Sequence, residues 1–166
     1  MAQIKHRGNP INTNGELPAV GSQAPDFKLV DANLKEVTLG SYKGKKKLLN
    51  IVPSLDTPTC ALSTKKFNDF AKANGNIAAL TISADLPFAQ KRFCGAENIE
   101  AVKTLSIMRG RNFAKDYGVL IQNGLLAGIT ARAVVVIDEN DKVAYTELVP
   151  EIAQEPNYDA AIAALK

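Results

Sequence analysis

The 166 residues include 46% hydrophobic side chains, with 20 basic and 17 acidic groups giving a net charge of +3. This supplies one packed core but no basic stripe for a nucleic-acid surface, and no apolar run approaches the roughly 18 residues of a membrane-spanning helix. Two cysteines are too few for a disulfide scaffold, and the basic N-terminus has no apolar segment or cleavage site after it, so one domain over residues 1–166, resident in the cytoplasm and without nucleic-acid or membrane partners, is expected.

Residues 3–7 and 10–14 alternate around Gly8-Asn9 and predict an N-terminal β-hairpin decorating the core. Two strand-like runs follow at 26–31 and 35–39, joined by Ala32-Asn33-Leu34. The near-continuous apolar stretch at 46–53 then predicts a central strand buried on both faces, with Lys45-Lys46-Lys47 before it as a solvated turn. From Cys60 onward, Leu62, Phe67, Phe70 and Ala71 fall near helical spacing, and Asn74-Gly75 ends the helix. Residues 76–85 read as another buried strand. A short helix is expected from Pro87 to near Gly95, with Cys94 at its C-terminal end. Residues 103–108 predict a strand, 112–118 a short helix, 131–138 and 142–149 two strands around Glu139-Asn140-Asp141, and 158–166 a terminal helix. Alternation that ends in a hairpin plus helix predicts an α/β mixed sheet with helices on both faces, an order that resembles a thioredoxin-like core.

The residues between Pro53 and Cys60 join the end of the buried strand to the start of a helix, where open α/β sheets place ligand sites. A thiol there meets unpaired backbone N–H groups and the positive end of the helix dipole, both of which favour the attacking thiolate. Thr57 lies about one turn before Cys60, within reach of the sulfur, and Pro53 lacks an N–H and can shield the site from water. A buried apolar cysteine is the competing reading. With proline and threonine each near 5% of residues, both offsets coincide by chance about once in 400.

Pro-x-x-x-Thr-x-x-Cys, realised here as PSLDTPTC, resembles the peroxidatic signature of peroxiredoxins. With SADLPFAQKRFC, FAKDYGVLI and AGITARAVVVIDENDKVAYTELVPEI, the chain is similar over nearly its whole length to the bacterial thiol peroxidases, the atypical two-cysteine peroxiredoxins. The resemblance implies that Cys60 is peroxidatic, that Cys94 resolves its sulfenic acid through an intramolecular disulfide, and that Arg132 supports the thiolate. It further implies antioxidant reduction of hydrogen peroxide and alkyl hydroperoxides, recycling by thioredoxin, and a homodimer. No cofactor is implied. Lys65 stands where another subfamily carries its resolving cysteine, and Ile107-Met108 before Arg109 departs from the aromatic residue expected there.

Among the other candidates, Arg132 opens the most apolar strand, where a held guanidinium could polarise a peroxide; Arg109 is the second choice. Closing the 34-residue separation of Cys60 and Cys94 requires their Cα atoms to come within about 7 Å, which from a helix needs local unwinding. His6, the only histidine, lies far in sequence from both cysteines, which argues against a Cys–His hydrolase or a zinc site. A disulfide oxidoreductase would normally show Cys-x-x-Cys, and Ser63 at the third position after Cys60 argues against it. A redox sensor of the same fold remains the rival function. Tyr117 and Tyr145 are expected in the core or an interface.

Overall fold

A seven-stranded mixed sheet organises the chain, whose residues 1–166 are all described by a computed structural model. Three parallel strands form its middle: β5 (Lys46–Ile51), β6 (Ile77–Ser83) and β7 (Lys103–Ser106), with β6 between the other two. On one side β8 (Ala133–Ile137) runs antiparallel to β5, and β9 (Val143–Leu148) returns along β8. On the other edge β7 pairs with β3 (Leu29–Val30), which pairs with β4 (Glu36–Val37). Each of these two strands is only two residues long. A 3-10 turn over Leu39–Tyr42 takes up the end of the segment read as a strand at 35–39.

Alternation along the strands sorts their side chains to the two faces. Leu48, Ala79, Val134 and Val136 point to one side, where they pack with Phe67 and Ala71 of α1 (Pro58–Ala73) and Ala161 of α4 (Tyr158–Ala164). Helix α2 (Pro87–Glu97) lies on this side too, through Phe93. Leu49, Ile51, Leu80, Ile82 and Val135 point to the other side, against Phe113 of α3 (Asn112–Asp116) and Ile4 and Ile11 of the N-terminal hairpin, β1 (Gln3–His6) and β2 (Asn9–Asn12). Both faces are covered by helices, which is why the central strands carry almost no polar alternation.

Four local expectations change. The hairpin turn is Arg7-Gly8, not Gly8-Asn9, with φ of +52° and +81°. Lys47 is not solvated: it is fully buried, paired with Asp141 and donating to the Asp138 carbonyl at 3.4 Å. Its place in β5 opposite Ile137 leaves the ammonium no exit except past the sheet end to the β8–β9 turn. Helix α1 begins at Pro58 rather than Cys60, and Leu62 is 41% exposed. The buried stripe of α1 is Cys60, Ser63, Thr64, Phe67, Asn68 and Ala71, an i, i+3, i+4 pattern half made of polar residues, so apolar spacing found Phe67 and Ala71 but missed the polar half of the face and took in Leu62. Helix α2 continues past Gly95 to Glu97 and stops at Asn98, in the left-handed region with φ +56°.

Candidate active site

The chain leaves β5 at Val52, whose N–H donates to the Ile82 carbonyl at 3.0 Å and whose carbonyl accepts from Thr130 Oγ1 at 2.7 Å. The loop beyond it sits at the C-terminal ends of the parallel strands. Asp85, just past β6, fastens this loop: its carboxylate accepts from Ser54 Oγ, Leu55 N–H and Ser83 Oγ, each at 2.7 Å. Thr57 is the extended N-cap residue of α1 and Pro58 the first helical residue, where its missing N–H costs nothing. Cys60 is therefore third in the helix, within its first turn.

Cys60 has no exposed surface and packs among Val52, Leu55 and Phe93. Arg132, immediately before β8 and 1% exposed, donates through Nη2 to Cys60 Sγ at 3.3 Å and through Nε to the Ile152 carbonyl at 2.7 Å. Its Nη1 is buried without a partner. The Thr57 hydroxyl donates to the Ser54 carbonyl at 3.1 Å and makes no hydrogen bond to the sulfur. Pro53, Thr57 and Arg132 line one cavity of about 510 Å³, together with Leu125, Leu126 and Ile129. His6 and Arg7 line it as well, so the hairpin that sequence placed remote from the cysteines folds onto the site.

Beneath Cys60 the helix meets polar groups. Ser63 and Thr64 hydroxyls both donate to the Cys60 carbonyl, at 3.0 and 2.9 Å, and Asn50 Nδ2 donates to Ser63 Oγ at 3.2 Å while its Oδ1 has no partner. Asn50 pairs in register with Thr81 on β6, and Thr81 with Thr104 on β7, forming a polar row across three strands. At the far end of that row lies Cys94 of α2, half-buried, its thiol on Thr104 Oγ1 at 3.9 Å. Burial pushes the Cys94 thiol up from its ordinary range, against smaller opposing effects of the Thr104 hydrogen bond and the Lys103 charge. Both cysteines are free thiols, and Phe93, next to Cys94 in sequence, packs against the cluster that holds Cys60.

Arg109 is elsewhere: it pairs with Glu36 at 3.5 Å and donates to the Leu34 carbonyl, and neither it nor Ile107-Met108 lines the Arg132 cavity. No three His, Cys, Asp or Glu side chains converge as metal ligands. Asp85 and Ser54 went unread in the sequence. Their signal was positional, because the ends of adjacent parallel strands are neighbours and Asp85 follows one as Ser54 follows the other.

A buried thiol in the first turn of a helix, under an arginine on a thioredoxin-like sheet, defines a class of thiol-dependent redox proteins. Residues 19–162 match the family model described as Redoxin, and the chain belongs to that family. Over 165 residues it is 58% identical to thiol peroxidases of Mycobacterium bovis and Mycobacterium tuberculosis, covering 99% of both sequences in each comparison. It superposes on a peroxiredoxin-like protein from Aquifex aeolicus with a TM-score of 0.94 and 44% identity over 99% of this chain and 96% of that one. A thiol peroxidase from Chromobacterium violaceum follows it with a TM-score of 0.91 and 26% identity, over 98% and 94%. Within the family the chain falls among the bacterial thiol peroxidases, and its activity is that of a peroxidase. No helix is long and apolar enough to cross a membrane.

Proposed function

We propose that Cys60 attacks the peroxide and that Cys94 resolves the product within the same chain. The Cys60 thiolate displaces the O–O bond of ROOH; the leaving oxygen takes a proton and departs as ROH, and Cys60 becomes a sulfenic acid. The Cys94 sulfur then attacks Cys60 Sγ, hydroxide leaves as water with the Cys94 proton, and a disulfide forms. An external dithiol, thioredoxin, reduces it and takes up the oxidising equivalent.

The observation that carries this reading is the Arg132 guanidinium. One of its amino groups is on Cys60 Sγ, and another is buried with no protein partner beside a cavity that a peroxide can enter. A donor left unpaired in the interior is costly unless something else fills it. In this reading the reacting oxygen accepts from Nη1, Pro53 excludes bulk water, and the Thr57 hydroxyl turns from the Ser54 carbonyl toward the peroxide. The apolar lining of Leu125, Leu126 and Ile129 supports alkyl hydroperoxides as substrates beside hydrogen peroxide. The active form is a homodimer, and the protein works in the cytoplasm.

Turnover with thioredoxin, thioredoxin reductase and NADPH tests the scheme. Sustained NADPH oxidation that Cys60→Ser abolishes supports it. One equivalent of peroxide consumed followed by arrest points instead to a redox sensor, and near wild-type turnover in Cys60→Ser overturns the mechanism.

A further inference from the structure

The segment from Val149 to Ala153 ties together parts of the molecule that are remote in sequence. On its inner side Val149 N–H donates to the Arg132 carbonyl at 3.0 Å, and the Ile152 carbonyl accepts from Arg132 Nε at 2.7 Å. The next carbonyl, of Ala153, accepts from Thr59 Oγ1 at 3.0 Å, in the same helical turn as Cys60. On its outer side the strap is braced by the N-terminal hairpin. Lys5 N–H donates to the Pro150 carbonyl at 2.7 Å, and Ile152 N–H to the Lys5 carbonyl at 3.0 Å.

Glu151 closes this arrangement. Its carboxylate accepts from Arg7 N–H at 3.2 Å and Gly8 N–H at 3.1 Å, the two central residues of the hairpin turn, and from Ala153 N–H at 3.4 Å within the strap. Arg7 stands there with φ +52°, in the left-handed region that a two-residue hairpin turn demands and that asparagine or glycine ordinarily fills. A bulky residue held in that conformation marks a turn fixed by its surroundings, and the Glu151 carboxylate is what fixes it. The Gly8 amide, and then those of Ala153 and Arg7, hold the Glu151 carboxyl below the usual carboxylate range, so the tie is ionised through neutral pH.

Ile152 O is the single protein acceptor for the Arg132 guanidinium apart from the sulfur itself. A planar guanidinium held at Nε by one carbonyl has its Nη atoms aimed by that carbonyl. A small displacement of Ile152 therefore turns Nη2 off Cys60.

We propose that Glu151 is a positioning residue for the peroxide reaction, acting through the strap backbone to hold Arg132 and the first turn of α1 in register around Cys60. This rests on the reading that Cys60 and Arg132 act on peroxide. The hairpin is then a working part of the site rather than an appendage, even though Glu151 itself touches neither thiol nor substrate.

The test uses the full chain carrying Cys94→Ser, which isolates the first oxidation step, with the second-order rate constant for hydrogen peroxide read by competition against a haem peroxidase. Glu151→Ala is expected to slow the reaction about tenfold, while Glu151→Gln, which folds around the same volume and keeps one acceptor oxygen, stays within about threefold of the parent. With Arg132→Lys added, Glu151→Ala should cost less than about twofold more, since no guanidinium is left to aim. A rate within about twofold of the parent in Glu151→Ala, or the same loss with and without Arg132→Lys, overturns the proposal while leaving the site intact. An unchanged rate in Arg132→Lys alone overturns the reading of the site and this proposal with it.

Discussion

Replacing Arg132 by methionine keeps an unbranched apolar chain out to the position of Nε and removes every donor. The Nη2 hydrogen bond to Cys60 Sγ is lost, and with it the donor that Nη1 offers to the reacting oxygen. A hydrogen bond to a charged partner contributes about 1.5–3 kcal/mol, so the two together come to about 3–6 kcal/mol. At 1.36 kcal/mol per decade, the rate constant for Cys60 oxidation should fall by about two to four orders of magnitude. The same substitution strands the Ile152 carbonyl without Nε. Leaving one buried acceptor unpaired costs about 1–3 kcal/mol, which in a chain of this size lowers Tm by about 2–12 °C. Single-turnover oxidation of the folded Arg132→Met variant, quenched by thiol alkylation and followed by mass spectrometry below its melting range, measures the kinetic part alone. A folded variant that reacts within about threefold of wild type would show that the guanidinium does not act on the reaction.

Cys94→Ser should consume about one equivalent of peroxide and accumulate a Cys60 sulfenic acid that a dimedone probe labels, with thioredoxin-driven turnover lost. In wild type, non-reducing mass mapping should recover an intrachain Cys60–Cys94 peptide pair, and linkage between chains would contradict the scheme. Asp141→Ala leaves the buried Lys47 ammonium with only the Asp138 carbonyl, a loss of about 3–5 kcal/mol that denaturant unfolding should report, and an unchanged midpoint would refute the account of that pair. Tyr117, buried, near Asp26, Asp116 and Asp141, and donating to the Pro25 carbonyl at 2.7 Å, is raised above its ordinary value of 10.0. A raised folded-state value means its contribution is complete below pH 10.0 and is lost as the pH climbs beyond it, when the unfolded chain ionises first. Tyrosinate absorbance should accordingly lag behind that of the denatured chain, and coincident titration curves would contradict this placement.

What the sequence disclosed and what it hid divide along the range of the interactions involved. The double-sided burial of β5 and β6 was legible because a strand covered on both faces writes a continuous apolar run. The Pro53–Cys60 loop was legible as a strand-to-helix junction because the buried run before it and the proline-led helix start after it are both local signals. Lys47 was misread because charge adjacent to charge looks solvated, whereas strand alternation and a partner 94 residues away decide its fate. Leu62 was misread because Ser63, Thr64 and Asn68 occupy the buried face of α1, and a search for apolar spacing passes over hydroxyls and amides. The braces at Asp85 and Glu151 act across 31 and more than 140 residues respectively. No local pattern carries such pairings, and only the folded chain brings them together.

Helix α1 is attached to the sheet by two kinds of contact along its length. Its later turns are glued by Phe67 and Ala71, while its first turns, Cys60 itself apart, rest on Ser63, Thr64, Asn50 and Thr81 through hydrogen bonds that water can replace. Melting those first turns exposes only the small Val52, Leu55 and Cys60 cluster, so it carries a smaller heat-capacity change and couples less to denaturant than detaching the rest of the helix, which carries the steep dependence of global unfolding. The helix can therefore fray at the cysteine end on a shallow free-energy slope while its other half stays anchored, and the reach of the Cys60 sulfur is set by a property of the sheet beneath it rather than by the stability of the protein as a whole.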